Sequence, residues 1–483
     1  MHWIDAGIFI FYMVALLVVG FYFLKKNKNA EDYFVSGRNM TRWHIGLSVV
    51  ATDVGGGFSI GLGGLGFVMG LSGSWMLFTG LIGAWLSAVI LIPKVHPLGK
   101  DSKLFTFPQI FGHFFNKRVA LVAGIISAIG YIGFTSSQML AGAKLASASF
   151  EGFDMTTALI VMGIITVGYT VLGGMNAVIY TDTIQWIVLI GGLCFIGIPL
   201  AYNAIGGIDA IRSTVSKDFL SMGNVTWQTL VNWGVTIIPI WFVGMTLYQR
   251  IYASRDVKEA KKAWFIAGLF EWPIMAFMGV ALGLFARVAA EQGMFEHLGF
   301  LNASMMDPEM GLPLLLKTIL PIGLMGIMMS VYFSAILSTA DSCLMAASGN
   351  MLTDIVSKFF HIDHDSKKML RLSQLFTLIL GILAILLASV MGNVLELMLY
   401  SYAFMVSGLF VPLVAALFFK KTNPNAAMMA MIGGGATTVL LSLTVNNLPF
   451  NLDANLFGIM ASLLLFIAGS YLLPVKYSTL KTN

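Results

Sequence analysis

Charge is what this chain has least of. Asp, Glu, Lys and Arg make up 11% of its 483 residues, where soluble domains carry about 25%. With 58% hydrophobic residues and a mean hydropathy of +0.85, there is no room for a large soluble domain. Cysteine is nearly absent. Cys194 and Cys343 both fall in apolar runs, which argues against a disulfide framework. The sequence holds no phosphate-cradling loop, no Cys/His metal cluster and no nucleophile–base pattern, so no enzyme is expected. His361 and His364 stand in a polar loop and read as solvated. The first apolar run, Ile4 to Leu24, has no basic segment before it and no small-residue cleavage signal after it. It reads as a retained helix rather than a signal peptide.

What is present is a series of apolar runs of bilayer length, about 20 residues each. Thirteen can be marked: 5–24, 43–70, 72–95, 119–147, 155–174, 176–202, 229–250, 263–287, 314–345, 370–390, 394–419, 426–445 and 455–473. Of the 28 Lys and Arg residues, all but Lys144, Arg212, Lys217, Arg287 and Lys317 fall in alternate loops and the C-terminal tail. Basic loops stay in the cytoplasm. The pattern therefore predicts an all-α, multi-pass protein of the cytoplasmic (inner) membrane, N-terminus outside and C-terminus inside. The pI near 9.0 follows from the same asymmetry and does not imply a nucleic-acid partner.

Two spans are interrupted. The second holds Ala51-Thr52-Asp53-Val54-Gly55-Gly56-Gly57 and then Gly61, Gly63, Gly64 and Gly66, each glycine costing about 1 kcal/mol in a helix interior. Such glycines serve either a broken helix or close helix packing. The seventh span holds Gly234, Pro239 and Gly244, and Pro239 is expected to interrupt its hydrogen-bond ladder. Paired interrupted spans in two halves point to an inverted-repeat transporter with its site near the midplane. The repeats are expected at 43–202 and 229–420, five helices each. Residues 1–42 form an extra helix and cytoplasmic loop, 203–228 an extracellular loop, and 421–483 two further helices and a tail.

Five carboxylates lie inside apolar spans: Asp53, Asp182, Glu271, Asp341 and Glu396. None has a Lys or Arg within a helical turn in sequence, and unpaired acids at membrane depth suggest a cation pathway. A proton relay is the rival reading of the same acids. In the ninth span, Ala335, Ser338, Thr339 and Ser342 share a helical face, with Asp341 adjoining. This column of oxygens suits a hard cation. The same hydroxyls at small-residue spacing also serve to glue helices together.

Four stretches, in this order, carry a family resemblance. They are Ala30-Glu31-Asp32-Tyr33-Phe34-Val35-Ser36-Gly37-Arg38; Leu172-Gly173-Gly174 with Tyr180-Thr181-Asp182-Thr183-Ile184-Gln185; Gln249-Arg250 with Ala253-Ser254; and Ser334 through Ser342. Together they resemble the sodium:solute symporters, which include bacterial proline and pantothenate carriers and the sodium–glucose transporters. The resemblance implies five-plus-five inverted repeats and sodium-coupled import of a small polar organic solute. It implies a main sodium site from the carbonyls of Ala51, Val54 and Ala335 and the hydroxyls of Ser338 and Thr339. Asp53 matches an acid linked to sodium binding in the proline branch.

A second sodium ion, found in some members, would use Asp182, Ser338, Thr339 and Ser342, with Asp341 where those members have a hydroxyl. One or two ions are thus open. The solute cavity would lie between the second, fourth, seventh and eleventh spans. Its candidates are Thr52 and Gly55; Phe134, Ser137 and Gln138; Trp241, Phe242 and Thr246; and Tyr400, Ser401, Tyr402 and Phe404. Phe134 and Phe242 replace tyrosines of the proline branch and Thr246 a proline, which argues against proline as the solute. A proton-coupled carrier, a sodium-permeable channel and a non-transporting solute sensor are the alternatives.

Overall fold

The computed structural model describes residues 2–26, 35–150, 152–356, 367–419, 423–445 and 447–473. Ala30 to Phe34 of the first motif, and His361 and His364, lie outside them. Apart from one isolated bridge between Met40 and Ser254, the described residues form helices and their connections.

The helices that position the site are α1 (Trp3–Lys26), α2 (Arg42–Val54), α3 (Gly56–Met69), α4 (Trp75–Leu86), α5 (Lys117–Ser149), α6 (Met155–Gly192), α7 (Trp227–Val243), α8 (Met245–Ala253), α9 (Val257–Leu269), α10 (Ala276–Glu291), α11 (Pro308–Ile319), α12 (Leu324–Gly349), α13 (Lys367–Ala388), α14 (Val394–Phe418), α15 (Pro424–Thr444) and α16 (Ala454–Leu472). Their starts follow capping chemistry: Asn116, Asp154, Thr226, Asp256 and Asn393 each accept a backbone N–H of the first turn. The Glu259 N–H holds the Asp256 carboxyl below its usual range, as expected for an acid at a helix N-terminus.

Among the described residues, nine helices are long and apolar enough to cross a membrane. The other four of the thirteen expected spans differ for identifiable reasons. The first and fifth contain shorter apolar segments, Trp3–Val19 and Met155–Gly168. The second runs into the third through a 3₁₀ turn at Gly70–Ser74. The seventh is a pair, α7 and α8, bent by 41°. The break falls at Gly244, which has extended backbone (φ −70°, ψ 113°), and not at Pro239. Pro239 removes one donor but stays inside α7. The expected boundary between the fifth and sixth spans carries no loop, since α6 runs on through Gly173 and Gly174. Its two halves follow different neighbours: Gly163 faces Ile385 of α13, whereas Gly192 faces Met328 and Val331 of α12.

The centre of the bundle is α12. Of its apolar window 94% is buried, against 39% for α15 and 22% for α16, so those two lie at the periphery of the bundle. Its N-terminus is capped from outside: Asp5 Oδ1 of α1 accepts the N–H groups of Gly323 (2.7 Å) and Gly326 (2.8 Å). Tyr12 of α1 bonds Ser334. The ends of the two broken helices meet where Met40 N donates to Ala253 O (2.9 Å) and Arg255 N to Met40 O (3.1 Å). Arg38 there donates to the carbonyls of Gly99 and Leu104. At the other end of the bundle, Lys144 reaches Asp307 (2.6 Å) and Glu309 (2.7 Å). Glu309 also accepts the first N–H groups of α14, Val394 and Leu395.

The glycines of the second span divide into two jobs. Gly63 and Gly66 press on α10 backbone to backbone: a side chain at Gly283 would strike Gly63, and one at Gly66 would strike Val280. This is the packing reading. We therefore expect Gly283→Ala to lower the thermal stability of the purified protein, by about 1–3 kcal/mol as for other overpacked sites. Gly191→Ala, where nothing lies within 4 Å, serves as control and should not lower it. Equal melting temperatures for both would remove the seam from the account.

Candidate functional site

The other job belongs to Gly55. There the backbone leaves the helix (φ 3°, ψ −164°), ending α2 at Val54 and starting α3 at Gly56. A helix end leaves carbonyls on one side and N–H groups on the other without intrahelical partners. The N–H groups are met by Gln138 of α5, whose Oε1 accepts from Gly56 (2.7 Å) and Gly57 (3.3 Å). Only glycine fits at 55, because a Cβ would collide with Thr339 and Gln138.

The carbonyls face α12. Ala51 O accepts from Thr339 Oγ1 at 2.9 Å and Ser338 Oγ at 3.3 Å. Both hydroxyls also lie within reach of Ala335 O, at 3.3 and 3.0 Å. Four of the five oxygen-bearing residues expected at the main sodium site thus converge in one buried cluster. The fifth, Val54, closes α2 at the break. Two carbonyls and two hydroxyls make a neutral, all-oxygen donor set, the chemistry of a hard cation rather than a transition metal.

One turn further along, the picture differs from expectation. The guanidinium of Arg250 on α8 is fully buried and sits amid the residues named for a second ion. Its Nη2 donates to Asp182 Oδ2 (3.2 Å), to Ser342 Oγ (2.9 Å) and to Thr52 Oγ1; its Nε donates to Ser48 Oγ (2.9 Å). Ser48 in turn donates to Asp182 (2.6 Å). Asp182 therefore is not an unpaired acid: its partner is 68 residues away in sequence. Ser338 and Thr339 belong to the carbonyl cluster instead. Asp341 lies close to Asp182, Ser342 and Arg250, with neither carboxylate oxygen hydrogen-bonded among the described residues.

A small cavity of about 10 Å³ opens beside the break, lined by Thr52, Asp53, Tyr131, Phe134, Ile240, Gly244, Thr246, Leu247 and Tyr402. Its volume is that of about one water, so the bundle is closed here. Thr52, Phe134 and Thr246, three of the residues named for the solute cavity, line it. Tyr131 was missed; its hydroxyl meets Thr246 Oγ1 at 3.1 Å, and it lies one turn before Phe134. Tyr402 packs edge-on against Phe134, centroids 4.8 Å apart.

The remaining cavity candidates point elsewhere. Gln138 caps α3, and Ser137 donates to Phe134 O. Trp241 is buried at 6.5 Å from Trp264, and Phe242 stacks edge-on with Phe410. Ser401 donates to Leu397 O, Phe404 faces Gly435, and Tyr400 donates to Glu396 (2.6 Å) on another surface. On α14 Tyr400, Ser401, Tyr402 and Phe404 are all polar or aromatic, so sequence alone does not select the inward one. Glu271 belongs to neither the carbonyl cluster nor the Arg250 network. It is fully buried, neither oxygen accepts a hydrogen bond among the described residues, and it neighbours Gly80 and the Asp53 carboxyl.

These features define a class first: an all-helical membrane carrier with two broken helices and an oxygen-lined site where one break meets a central helix. Residues 33–434 match the model of the sodium:solute symporter family, and the chain belongs to that family. It is a sodium-coupled symporter of a small solute. Similar proteins include the high-affinity proline transporter PutP of Bacillus subtilis, 29% identical with 88% of this chain and 89% of that protein covered. The osmoregulated proline transporter OpuE of the same organism is 26% identical, covering 89% and 87%. The sodium/glucose cotransporter of Vibrio parahaemolyticus is 25% identical, covering 93% and 87%. The fold is that of a solved Na⁺-coupled sialic acid symporter in a substrate-bound, outward-open state, with TM-score 0.78, 23% identity and 98% of both chains covered.

The Arg250 network makes a stability prediction. Breaking a buried pair from one side costs about 3–5 kcal/mol, because a charge is left buried and uncompensated. Arg250→Met should therefore unfold at markedly lower temperature, and Arg250→Met with Asp182→Asn should recover much of the loss. Equal losses in the single and double variants would mean that the ion pair is not what Arg250 contributes.

Proposed function

We propose that the chain imports a small polar organic solute across the cytoplasmic membrane with a single sodium ion per cycle, by alternating access between two repeats, 43–202 and 229–420. The observation that carries the ion assignment is the convergence of Ala51 O, Ala335 O, Ser338 Oγ and Thr339 Oγ1 within 3.3 Å contacts. Val54 would complete the set from the break, and Asp53, beside the cavity, would add negative charge. Sodium bound there ties α2 to α12 and favours one state of the bundle; its loss to the cytoplasm releases the tie. The basic loops support placing the N-terminus outside and the C-terminus inside.

Arg250 supports one ion rather than two. A guanidinium already bonds Asp182 Oδ2 and Ser342 Oγ, so a second cation beside it would meet like charge. One charge crossing about 100 mV contributes roughly 2.3 kcal/mol, about 50-fold in accumulation before any sodium gradient is counted. The solute enters the space lined by Thr52, Tyr131, Phe134, Thr246 and Tyr402. Relatives act on proline or glucose; the phenyl ring at 134 and the hydroxyl at 246 favour a solute other than proline.

A proton-coupled reading draws on one observation, the approach of the Asp53 and Glu271 carboxyls, a pairing that needs a proton between them. Uptake titrated with sodium at fixed pH separates the readings. We expect saturable sodium dependence with a Hill coefficient near one. Absence of sodium dependence would reject the sodium reading, and a coefficient approaching two would reject the single ion. Thr339→Ala and Ser338→Ala should each raise half-saturating sodium about fivefold or more, the equivalent of a buried hydrogen-bonding group worth about 1 kcal/mol. Apparent solute affinity at saturating sodium should change less. Unchanged sodium dependence in both variants would place the site elsewhere.

A further inference from the structure

Where the basic ends of the two broken helices meet, the chain encloses a cavity of about 20 Å³, lined by Arg38, His96, Lys100, Tyr252, Ser254 and Arg255. We propose that it is a phosphate-binding site, in which one phosphate oxygen enters the cavity and the rest of the group lies at its mouth. The phosphate comes either from a lipid headgroup or from free inorganic phosphate. The binding stands without the transport reading above; only its effect on the cycle rests on that reading.

Three observations carry this. The lining gathers two guanidinium groups, an ammonium group and an imidazole, and no Asp or Glu lines it. These groups come from separate stretches: Arg38 from the turn before α2, His96 and Lys100 from the helix Ile92–Asp101, and Arg255 from just beyond α8. Like charges brought to one point repel unless an anion lies between them. Second, the inner groups are already oriented. Arg38 donates through Nη1 to Gly99 O (3.2 Å) and through Nη2 to Leu104 O (2.7 Å). His96 is 5% exposed, and its Nε2 meets Ser254 O at 3.0 Å. A carbonyl only accepts, so Nε2 is the donor and Nδ1 is left as the second hydrogen-bonding atom of the ring. Tyr252 is buried, and its hydroxyl has no partner among the described residues. Third, the outer groups, Lys100 and Arg255, are exposed. Arg255 places its Nε 3.5 Å from Asp256 Oδ2 in an exposed pair, and the guanidinium fork has further donors that match a phosphate. A cavity of this size admits one atom-sized guest. A halide would reach the inner groups alone, whereas a tetrahedral oxyanion reaches the inner and the outer set together. Basic pockets between membrane helices on the cytoplasmic side recognise phosphate headgroups in this way. The bound group bridges His96 and Lys100 of the first half to Arg255 of the second, beside the bonds of Met40 to Ala253 and Arg255. It fastens the basic ends of both broken helices together and so opposes opening on that side.

The test is thermal unfolding of the purified full-length protein in detergent micelles, with inorganic phosphate exchanged for chloride at constant ionic strength. A ligand of the native state raises the melting temperature, and a saturable rise with phosphate is expected. Lys100→Gln with Arg255→Gln should raise the half-saturating phosphate concentration about tenfold or more, since two charge-assisted contacts are lost. Should the double variant fail to fold, each single variant should raise it about threefold. Lys117→Gln with Arg118→Gln removes the same charge from the exposed start of α5 and should leave the titration unchanged. Phosphatidate added to the micelles separates the two sources. A lipid headgroup in the site raises the melting temperature by itself and abolishes the response to inorganic phosphate; if free phosphate is the ligand, the lipid leaves that response as it was. No response to phosphate in the charge-intact protein without phosphatidate would overturn the proposal, as would equal titrations in the two double variants. None of these readouts involves sodium or uptake, so failure here and failure of the transport reading are separate results.

Discussion

A helix broken inside hydrocarbon must find partners for the backbone groups it exposes, because no water is there to accept them. The break at Gly55 organises the rest of the molecule through that requirement. Its N–H groups are taken by Gln138 and its carbonyl side by Ser338 and Thr339. Those two contacts fix where α5 and α12 stand relative to α2. Everything else that positions the site serves them: Asp5 capping α12, the Met40 bridge holding the basic ends of both broken helices, and the glycine seam seating α3 on α10. The contact between carbonyls and hydroxyls is held by hydroxyl protons alone. A cation that takes the same oxygens exchanges one set of bonds for another without repacking the core. In the proposed ion site, that substitution is what would let an ion bias a conformation.

Much of this was legible in the sequence because membrane physics writes it plainly. Run length and basic loops gave the class, and the Gly run and the hydroxyl column mark the two sides of the oxygen cluster at the break. The reading weakened where two readings fit one residue type. Glycines can break helices or seat them, and the second span does both within twelve residues. Pro239 marks the seventh span as interrupted, but the chain breaks at Gly244, because a single lost donor bends a helix less than extended backbone does. Asp182 and Arg250 were each visible as motif residues. Their pairing was not, because only the fold brings α6 and α8 together. The same limit hid Tyr131, and left Tyr402 undistinguished from its neighbours on α14, since a helix in a bundle has no solvent face to mark which side is in.

The distribution of charge is economical and has two centres. Arg250 answers Asp182 near the basic end, and Lys144 answers Asp307 and Glu309 at the other. Each joins helices from both halves of the chain. Lys144, one of the few basic residues outside the basic loops, is there because Glu309 is. Asp341 has no such answer. The acid that most marks the ninth span in sequence lies beside Asp182, Ser342 and Arg250, yet it accepts no hydrogen bond from that network among the described residues.

The glycine seam between α3 and α10 has a mechanical corollary. Two helices in backbone contact have no compliant layer of side chains between them, so they cannot slide past each other by rotamer adjustment. They form a bearing without clearance. Whatever motion opens the central cavity must carry α3 and α10 as one stiff strut. The slack must be taken up where side chains intervene, along α12 and around the bend at Gly244.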